Sequence, residues 1–187
     1  MNLPNFLTMS RFGVGVIIAY FLFLHTFVGN VIAAVFFIVA SLTDYYDGYF
    51  AKKNGLISDF GKIMDPIADK FMILTIFTVL AMLGMMKWWM VGVIAVREVA
   101  VTVSRMQAML KGRVIAAERA GKIKTVLQIA SISFILLFLI ADQAAGFSSW
   151  FYRYEALSLF YINVLLLITV AWTIGSGVLY FMELKKE

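Results

Sequence analysis

The sequence has no cysteine, one histidine (His25) and two prolines (Pro4 and Pro66) in 187 residues. Without cysteine there are no disulfides, no thiolate metal sites and no cysteine nucleophile, and the redox compartment is left open. Charge is scarce too: Asp, Glu, Lys and Arg make up 14% of the chain, against about 25% in soluble domains. Apolar residues fill the gap, at 63% of the chain with 16% aromatic and a mean hydropathy of +0.92. Such a composition predicts a membrane protein. A crossing helix takes roughly 20 apolar residues, so six crossings would use about 120 and leave little for a second domain. The excess of Lys plus Arg over Asp plus Glu, 16 against 11, then reads as orientation toward an anionic leaflet. No nucleic-acid partner is expected.

The apolar residues fall into blocks at 12–24, 30–51, 63–86, 88–110, 123–141 and 156–182, each long enough to span with some tilt. The expected fold is all-α, a bundle of six transmembrane helices in one domain covering 1–187. The opening MNLPNFLTMSR lacks a basic n-region and no small-residue cleavage site follows, so the first block is read as a retained span. Residues 4–9 mix Phe6, Leu7 and Met9 with Asn5 and Thr8, which predicts a short interfacial helix before that span. With a cytoplasmic N-terminus, the inside segments hold Arg11, Lys52, Lys53, Lys62, Lys111, Arg113, Arg119, Lys122, Lys124, Lys185 and Lys186, and the outside loops hold Lys87 and Arg153. The positive-inside rule therefore places both termini in the cytoplasm.

Ionisable groups inside spans cost roughly 2.5 to 3.5 kcal/mol each on insertion scales, so each needs a partner or a polar cavity. Asp44 and Asp47 lie at i, i+3 in ASLTDYYDGYFAKK, and Asp65 and Asp69 at i, i+4 in SDFGKIMDPIADK; both spacings put a pair on one helix face. At roughly 100° per residue, Asp44, Asp47, Gly48, Ala51 and Lys52 fall within about 140° of arc, and Gly61, Asp65 and Asp69 within about 80°. Two such stripes can face each other near the cytoplasmic ends of the second and third spans. Four carboxylates in a low-dielectric site repel unless cations neutralise them. Hard oxygen donors without Cys or a nearby His favour Mg²⁺ or Mn²⁺. One or two ions fit, and a pair about 4 Å apart is the arrangement that serves phosphoryl chemistry. The small residues Gly48, Ala51 and Gly61 either leave room for a bulky ligand or let helices pack closely.

Read together, Asp44-x2-Asp47-Gly48-x2-Ala51-Lys52-x8-Gly61-x3-Asp65-x3-Asp69 resembles the signature of the CDP-alcohol phosphotransferase family, D-x2-D-G-x2-A-R-x8-G-x3-D-x3-D. The departure is Lys52, where the family has arginine; lysine keeps the charge for a phosphate but loses the planar two-pronged donor. The resemblance implies transfer of a phosphatidyl-type group from a CDP-linked lipid to an alcohol, with release of CMP. It implies that Asp44, Asp47, Asp65 and Asp69 surround the divalent metal, that Asp69 receives the proton of the incoming hydroxyl, and that Gly48, Ala51, Lys52 and Gly61 border the cytidine diphosphate with Asp44, Asp47 and Asp65. Three further stretches, NLPNFLTMSR, REVAVTVSRMQAMLKG and AAERAGKIKTVLQ, are similar to those of the phosphatidylglycerophosphate synthases within the family. That implies CDP-diacylglycerol as donor, glycerol 3-phosphate as acceptor, a homodimer among membrane lipids, and a bacterial inner-membrane location with the site facing the cytoplasm. Serine, inositol phosphate or phosphatidylglycerol are the alternative acceptors.

A dianionic acceptor would justify Arg97 and Arg105, read as buried cations on the fourth span, and Arg119, Lys122 and Lys124 at the entrance to the fifth. Each has a plainer reading. Arg119, Lys122 and Lys124 also satisfy the positive-inside rule. Arg97 and Arg105 could pair with the aspartates or with Glu98, which lies two turns from Arg105 on nearly the same face. Thr8 and Arg11 either contact donor phosphates or anchor the N-terminus. His25 is read as interfacial, and Trp88, Trp89, Trp150, Tyr152 and Tyr154 as an outer aromatic belt. Gly13-x-Gly15 is no dinucleotide fingerprint, because no strand precedes it and Ile18 holds the third position. A divalent-cation transporter also places carboxylates in spans, but usually near the midplane of repeated halves, and no repeat is visible in this chain.

Overall fold

The computed structural model describes the backbone of residues 3–54, 59–110, 118–145 and 149–185, and the side chains of 10–43, 67–108, 120–144 and 154–185 within them. These residues form α1 (Leu3–Phe23), α2 (Phe27–Asn54), α3 (Asp59–Met82), α4 (Trp88–Leu110), α5 (Glu118–Ala145) and α6 (Ser149–Leu184), with no strand among them. Helices are the expected answer to a lipid solvent, since they satisfy every backbone N–H and C=O within the segment. The stretches Ala120–Ala144 and Tyr154–Leu184 are long and apolar enough to cross a bilayer, at mean hydropathies of 2.2 and 2.1. In the most apolar part of the latter only 28% of residues are buried within the protein. Its remaining apolar surface, like Val96, Val99, Val126, Leu137 and Phe160 elsewhere, is suited to lipid and untenable as a large patch in water. This is a membrane protein.

Helix ends follow local chemistry. Thr26 caps α2 by accepting a 3.1 Å bond from Gly29 N–H, and a Cβ on Gly29 would meet Phe21 O at 2.6 Å, so the tight α1–α2 turn excludes a side chain there. His25 takes φ 48° in that turn, and its carbonyl accepts a 2.7 Å bond from Gln143 Nε2 on α5. The block expected to run to residue 86 stops at Met82, because Gly84 at φ 77° closes α3 with a paired cap. Met85 N–H reaches Leu80 O at 2.9 Å and Gly84 N–H reaches Ala81 O at 3.1 Å, as in a Schellman motif.

The separate interfacial helix expected over residues 4–9 does not form as its own element. Residues 3–23 are one continuous helix. Nothing between Met9 and Phe12 breaks a helix, and Pro4 sits in the first turn, where its missing N–H has no intrahelical partner to lose.

The helices close into a ring. Each touches two neighbours in the order α1, α3, α4, α6, α5, α2 and back to α1, with α3 also reaching α5 across the middle. Ile18, Leu22, Phe37, Ile76, Phe77, Leu80, Ile132, Leu136 and Leu139 form the buried centre. Lipid tails are as apolar as leucine, so association rests on close packing and interhelical hydrogen bonds. Gly15 supplies the first: a Cβ there would lie 3.2 Å from Met72 Cα on α3. Ser131 and Thr169 supply the second, sharing a buried 2.8 Å bond between α5 and α6. Trp172 Nε1 adds a 3.1 Å bond to Ala120 O.

Candidate active site

Polar side chains recur at about one-turn spacing on three helices, Glu98, Thr102 and Arg105 on α4, Lys124 and Gln128 on α5, and Ser176 and Tyr180 on α6, and α3 adds Asp69 and Lys70. Such spacing puts each of the three sets on one face, and all four helices line a single cavity of about 310 Å³. That volume is at the small end of the range for ligand pockets, roughly 300 to 1,000 Å³. Five cations (Lys70, Arg97, Arg105, Lys122 and Lys124) and two carboxylates (Asp69 and Glu98) line it, giving a net +3 among the described residues.

The carboxylate of Glu98 is the hub of the wall. Glu98 is 2% exposed, and its Oε1 accepts from Lys124 Nζ at 2.5 Å, Arg97 Nη1 at 3.4 Å and Gln128 Nε2 at 3.5 Å. Arg97 also donates from Nη2 to Ser176 Oγ at 3.0 Å, so one carboxylate links α4 to α5, and its arginine neighbour links α4 to α6. Gly177 makes room for that arginine: a Cβ there would meet Arg97 Cγ at 3.1 Å. Arg105 lies with its Cζ 5.8 Å from the centroid of the Tyr180 ring, a cation–π contact.

Of the residues singled out from sequence, Asp69, Arg97, Arg105, Lys122 and Lys124 are thus brought together, from three helices. Two expectations change. Arg105 is exposed rather than buried, and Glu98, read as a partner of Arg97 or Arg105, does pair with Arg97 but takes Lys124 on α5 as its nearer partner, because a neighbouring helix offers shorter reach than two turns of the same one. Arg11, half-buried on α1, is not among the residues lining this cavity. Asp44, Asp47, Gly48, Ala51 and Lys52 lie on α2, Gly61 and Asp65 on α3, Thr8 on α1 and Arg119 on α5. The side chains of all nine, and with them most of the signature, lie outside the described residues. Sequence reasoning missed Lys70, Ser176, Tyr180 and Gln128 as lining residues. The one-turn repeat of polar positions on α5 was a usable signal for Gln128, whereas nothing local marks Ser176 or Tyr180.

A second hollow, of about 780 Å³, lies between α4 and α6. Its walls are apolar, with Trp89, Val93, Val96, Ile174 and Phe181 among them, and Arg97 borders both hollows.

Residues 1–175 match the family model described as CDP-alcohol phosphatidyltransferase. The chain belongs to that family. Among its fellow CDP-alcohol phosphatidyltransferase family members, the chain is similar to the CDP-diacylglycerol--glycerol-3-phosphate 3-phosphatidyltransferase of Bacillus subtilis (strain 168), 34% identical over 195 aligned positions that cover 97% of this chain and 94% of that one. An identically named protein of Rickettsia felis is 30% identical over 189 positions, covering 99% and 96%. Another of Treponema pallidum is 34% identical over 129 positions, covering 68% and 59%. The family resemblance carried by the aspartate signature is borne out by these matches.

Proposed function

We propose that this enzyme transfers the phosphatidyl group of CDP-diacylglycerol to sn-glycerol 3-phosphate, giving phosphatidylglycerophosphate and CMP. The observation that carries the reading is the gathering of Asp69 with Arg97, Arg105, Lys122 and Lys124 around one small cavity. A net positive, partly enclosed site suits a dianionic acceptor, because charge-assisted hydrogen bonds to phosphate are about twice as strong as neutral ones. Serine or an uncharged alcohol would leave those cations unmatched. The names of the relatives, which span nearly their whole length, support the same acceptor.

In this scheme the cations hold the acceptor phosphate and Asp69 receives a hydrogen bond from the acceptor hydroxyl. That oxygen attacks the phosphorus carrying the diacylglycerol. The new P–O bond forms as the bond to the bridging oxygen breaks, CMP departs with that oxygen, and the hydroxyl proton passes to the Asp69 carboxylate. Asp44, Asp47, Asp65 and Asp69 are the residues that would hold a divalent ion. All four lie in helix, at one-turn spacing on α2 and α3, and the hard oxygen donor set fits Mg²⁺ or Mn²⁺. When bound, such an ion would neutralise diphosphate charge. Asp44, Asp47, Gly48, Ala51, Lys52, Gly61 and Asp65 would border the cytidine diphosphate, with Thr8 and Arg11 near the donor and Arg119 beside the acceptor-phosphate group.

The same reading makes residues 1–187 one domain with six spans. It puts both termini and the cavity on the cytoplasmic side of a bacterial inner membrane, in a homodimer among membrane lipids. The test is an acceptor screen with CDP-diacylglycerol in detergent, following CMP release with Mg²⁺ or Mn²⁺. Glycerol 3-phosphate is expected to exceed serine, inositol phosphate and phosphatidylglycerol by at least tenfold. CMP release with glycerol 3-phosphate no faster than with serine would sink the assignment of acceptor.

A further inference from the structure

We infer that Glu98 is the positioning residue of the acceptor site, holding Arg97 and Lys124 in the geometry that receives a phosphate without touching the acceptor itself. The inference rests on the proposed acceptor. Glu98 lines the cavity, yet a carboxylate beside an anionic ligand repels it, so its presence there needs a reason other than binding. Charge offset alone is a poor reason, since four of the five cations would remain in excess of Asp69 without it.

The geometry gives a better one. All three donors, from Lys124, Arg97 and Gln128, converge on Oε1, while Oε2 is buried without a hydrogen-bond partner. A carboxylate installed only to tie helices together would share its donors between both oxygens, since an orphaned buried acceptor is destabilising. A buried ion pair is in any case weak evidence for stability, because desolvation opposes the attraction. What the single-oxygen focus does achieve is a fixed arrangement. Lys124 Nζ and Arg97 Nη1 are drawn to one point, Arg97 Nη2 is turned to Ser176 Oγ at 3.0 Å, and a long flexible lysine and an arginine are held before the ligand arrives. Preorganised charge binds more tightly than mobile charge, since less side-chain freedom is lost on binding.

Positioning and simple electrostatics predict opposite signs, which makes the inference testable. Removing a negative charge from the cavity wall should tighten phosphate binding if the carboxylate is only a charge. If it is a positioning residue, binding should weaken. The experiment measures KM for glycerol 3-phosphate and for CDP-diacylglycerol, by CMP release from detergent-solubilised full-length enzyme, in wild type, Glu98→Gln, Glu98→Asp and the double variant Glu98→Gln with Lys124→Met. Thermal unfolding is recorded for each.

Positioning predicts that Glu98→Gln raises the acceptor KM tenfold or more and leaves the donor KM within twofold. Glu98→Asp should recover part of the loss. The double variant, which restores the net charge without the geometry, should recover none. An acceptor KM that falls or stays unchanged in Glu98→Gln overturns the inference, as does full recovery in the double variant. Equal losses for both substrates with a collapsed unfolding temperature would assign Glu98 a structural role alone. Should Glu98→Gln fail to fold, Glu98→Asp decides, with a selective rise in acceptor KM expected and an unselective one refuting. Wild-type enzyme that ignores glycerol 3-phosphate would instead refute the proposed acceptor, so the two failures are distinguishable.

Discussion

Replacing Arg105 by glutamine removes an exposed cation of the cavity wall, and its effect can be worked from the contacts. The guanidinium is held over the Tyr180 ring at 5.8 Å, a contact of about 0.5 to 1 kcal/mol at an exposed site, so the group is partly oriented before any ligand arrives. A hydrogen bond to a charged partner contributes about 1.5 to 3 kcal/mol. At about 1.4 kcal/mol per decade, Arg105→Gln is expected to raise the acceptor KM roughly ten- to one-hundredfold. The donor KM should not move. Arg105→Lys keeps the charge but loses the planar fork and the ring stacking, and should fall between. Tyr180→Phe keeps the ring under the guanidinium and should cost much less than Arg105→Gln. The assay is CMP release against glycerol 3-phosphate concentration at saturating donor. An Arg105→Gln enzyme whose two KM values rise together, or neither of which rises, would refute the placing of Arg105 at the acceptor phosphate.

Asp69→Asn should lower kcat by about a hundredfold or more, the usual contribution of a positioned base, while binding of a CDP nucleotide changes by less than tenfold; equal losses in both would argue against a role in chemistry. Chelation of divalent ions should stop CMP release, and added Mg²⁺ or Mn²⁺ should restore it; turnover that persists in chelator would remove the metal from the scheme. Gly15→Val should lower the unfolding temperature, since its Cβ would stand 3.2 Å from Met72 Cα and overpacking costs about 1 to 3 kcal/mol. Gly13→Ala, with nothing within 4 Å of the new atom, should be neutral or stabilising. Finally, Lys52→Arg should be tolerated with kcat within a few-fold of wild type, because arginine retains the phosphate-binding charge.

Much of the fold was legible because lipid imposes one rule on the backbone, and each apolar block duly has its helix. The rule says nothing about which helices touch. The ring order, with α1 beside α3 and α2 beside α5, depends on side-chain packing such as Gly15 on Met72, which leaves no periodic trace in sequence. The cations were legible for a different reason: Arg97 and Lys124 are costly in a span unless something uses or pairs them. Their pairing was legible only in part. Glu98 was read as a partner for Arg97 or for Arg105 two turns away; Arg97 does donate to it, and the other donors come from Lys124 and Gln128 on α5, which one helix's spacing does not reveal. Lys70, Ser176 and Tyr180 escaped notice because single polar residues within helices are common and only the bundle reveals a shared wall. The extension of α1 through residues 4–9 was missed because an amphipathic composition says where a segment prefers to lie, and a chain without a breaker continues its helix regardless.

The cavity draws one of its four walls from α6, whose Ser176 steadies Arg97 and whose Tyr180 lies beneath Arg105. Among the described residues α6 comes last in sequence. Without α6, Arg97 would lose its bond to Ser176 and Arg105 its ring, and the cavity would stand open on that side. The polar wall of the bundle is therefore completed by the helix furthest along the sequence, and a chain cut short of residue 176 would lack both contacts.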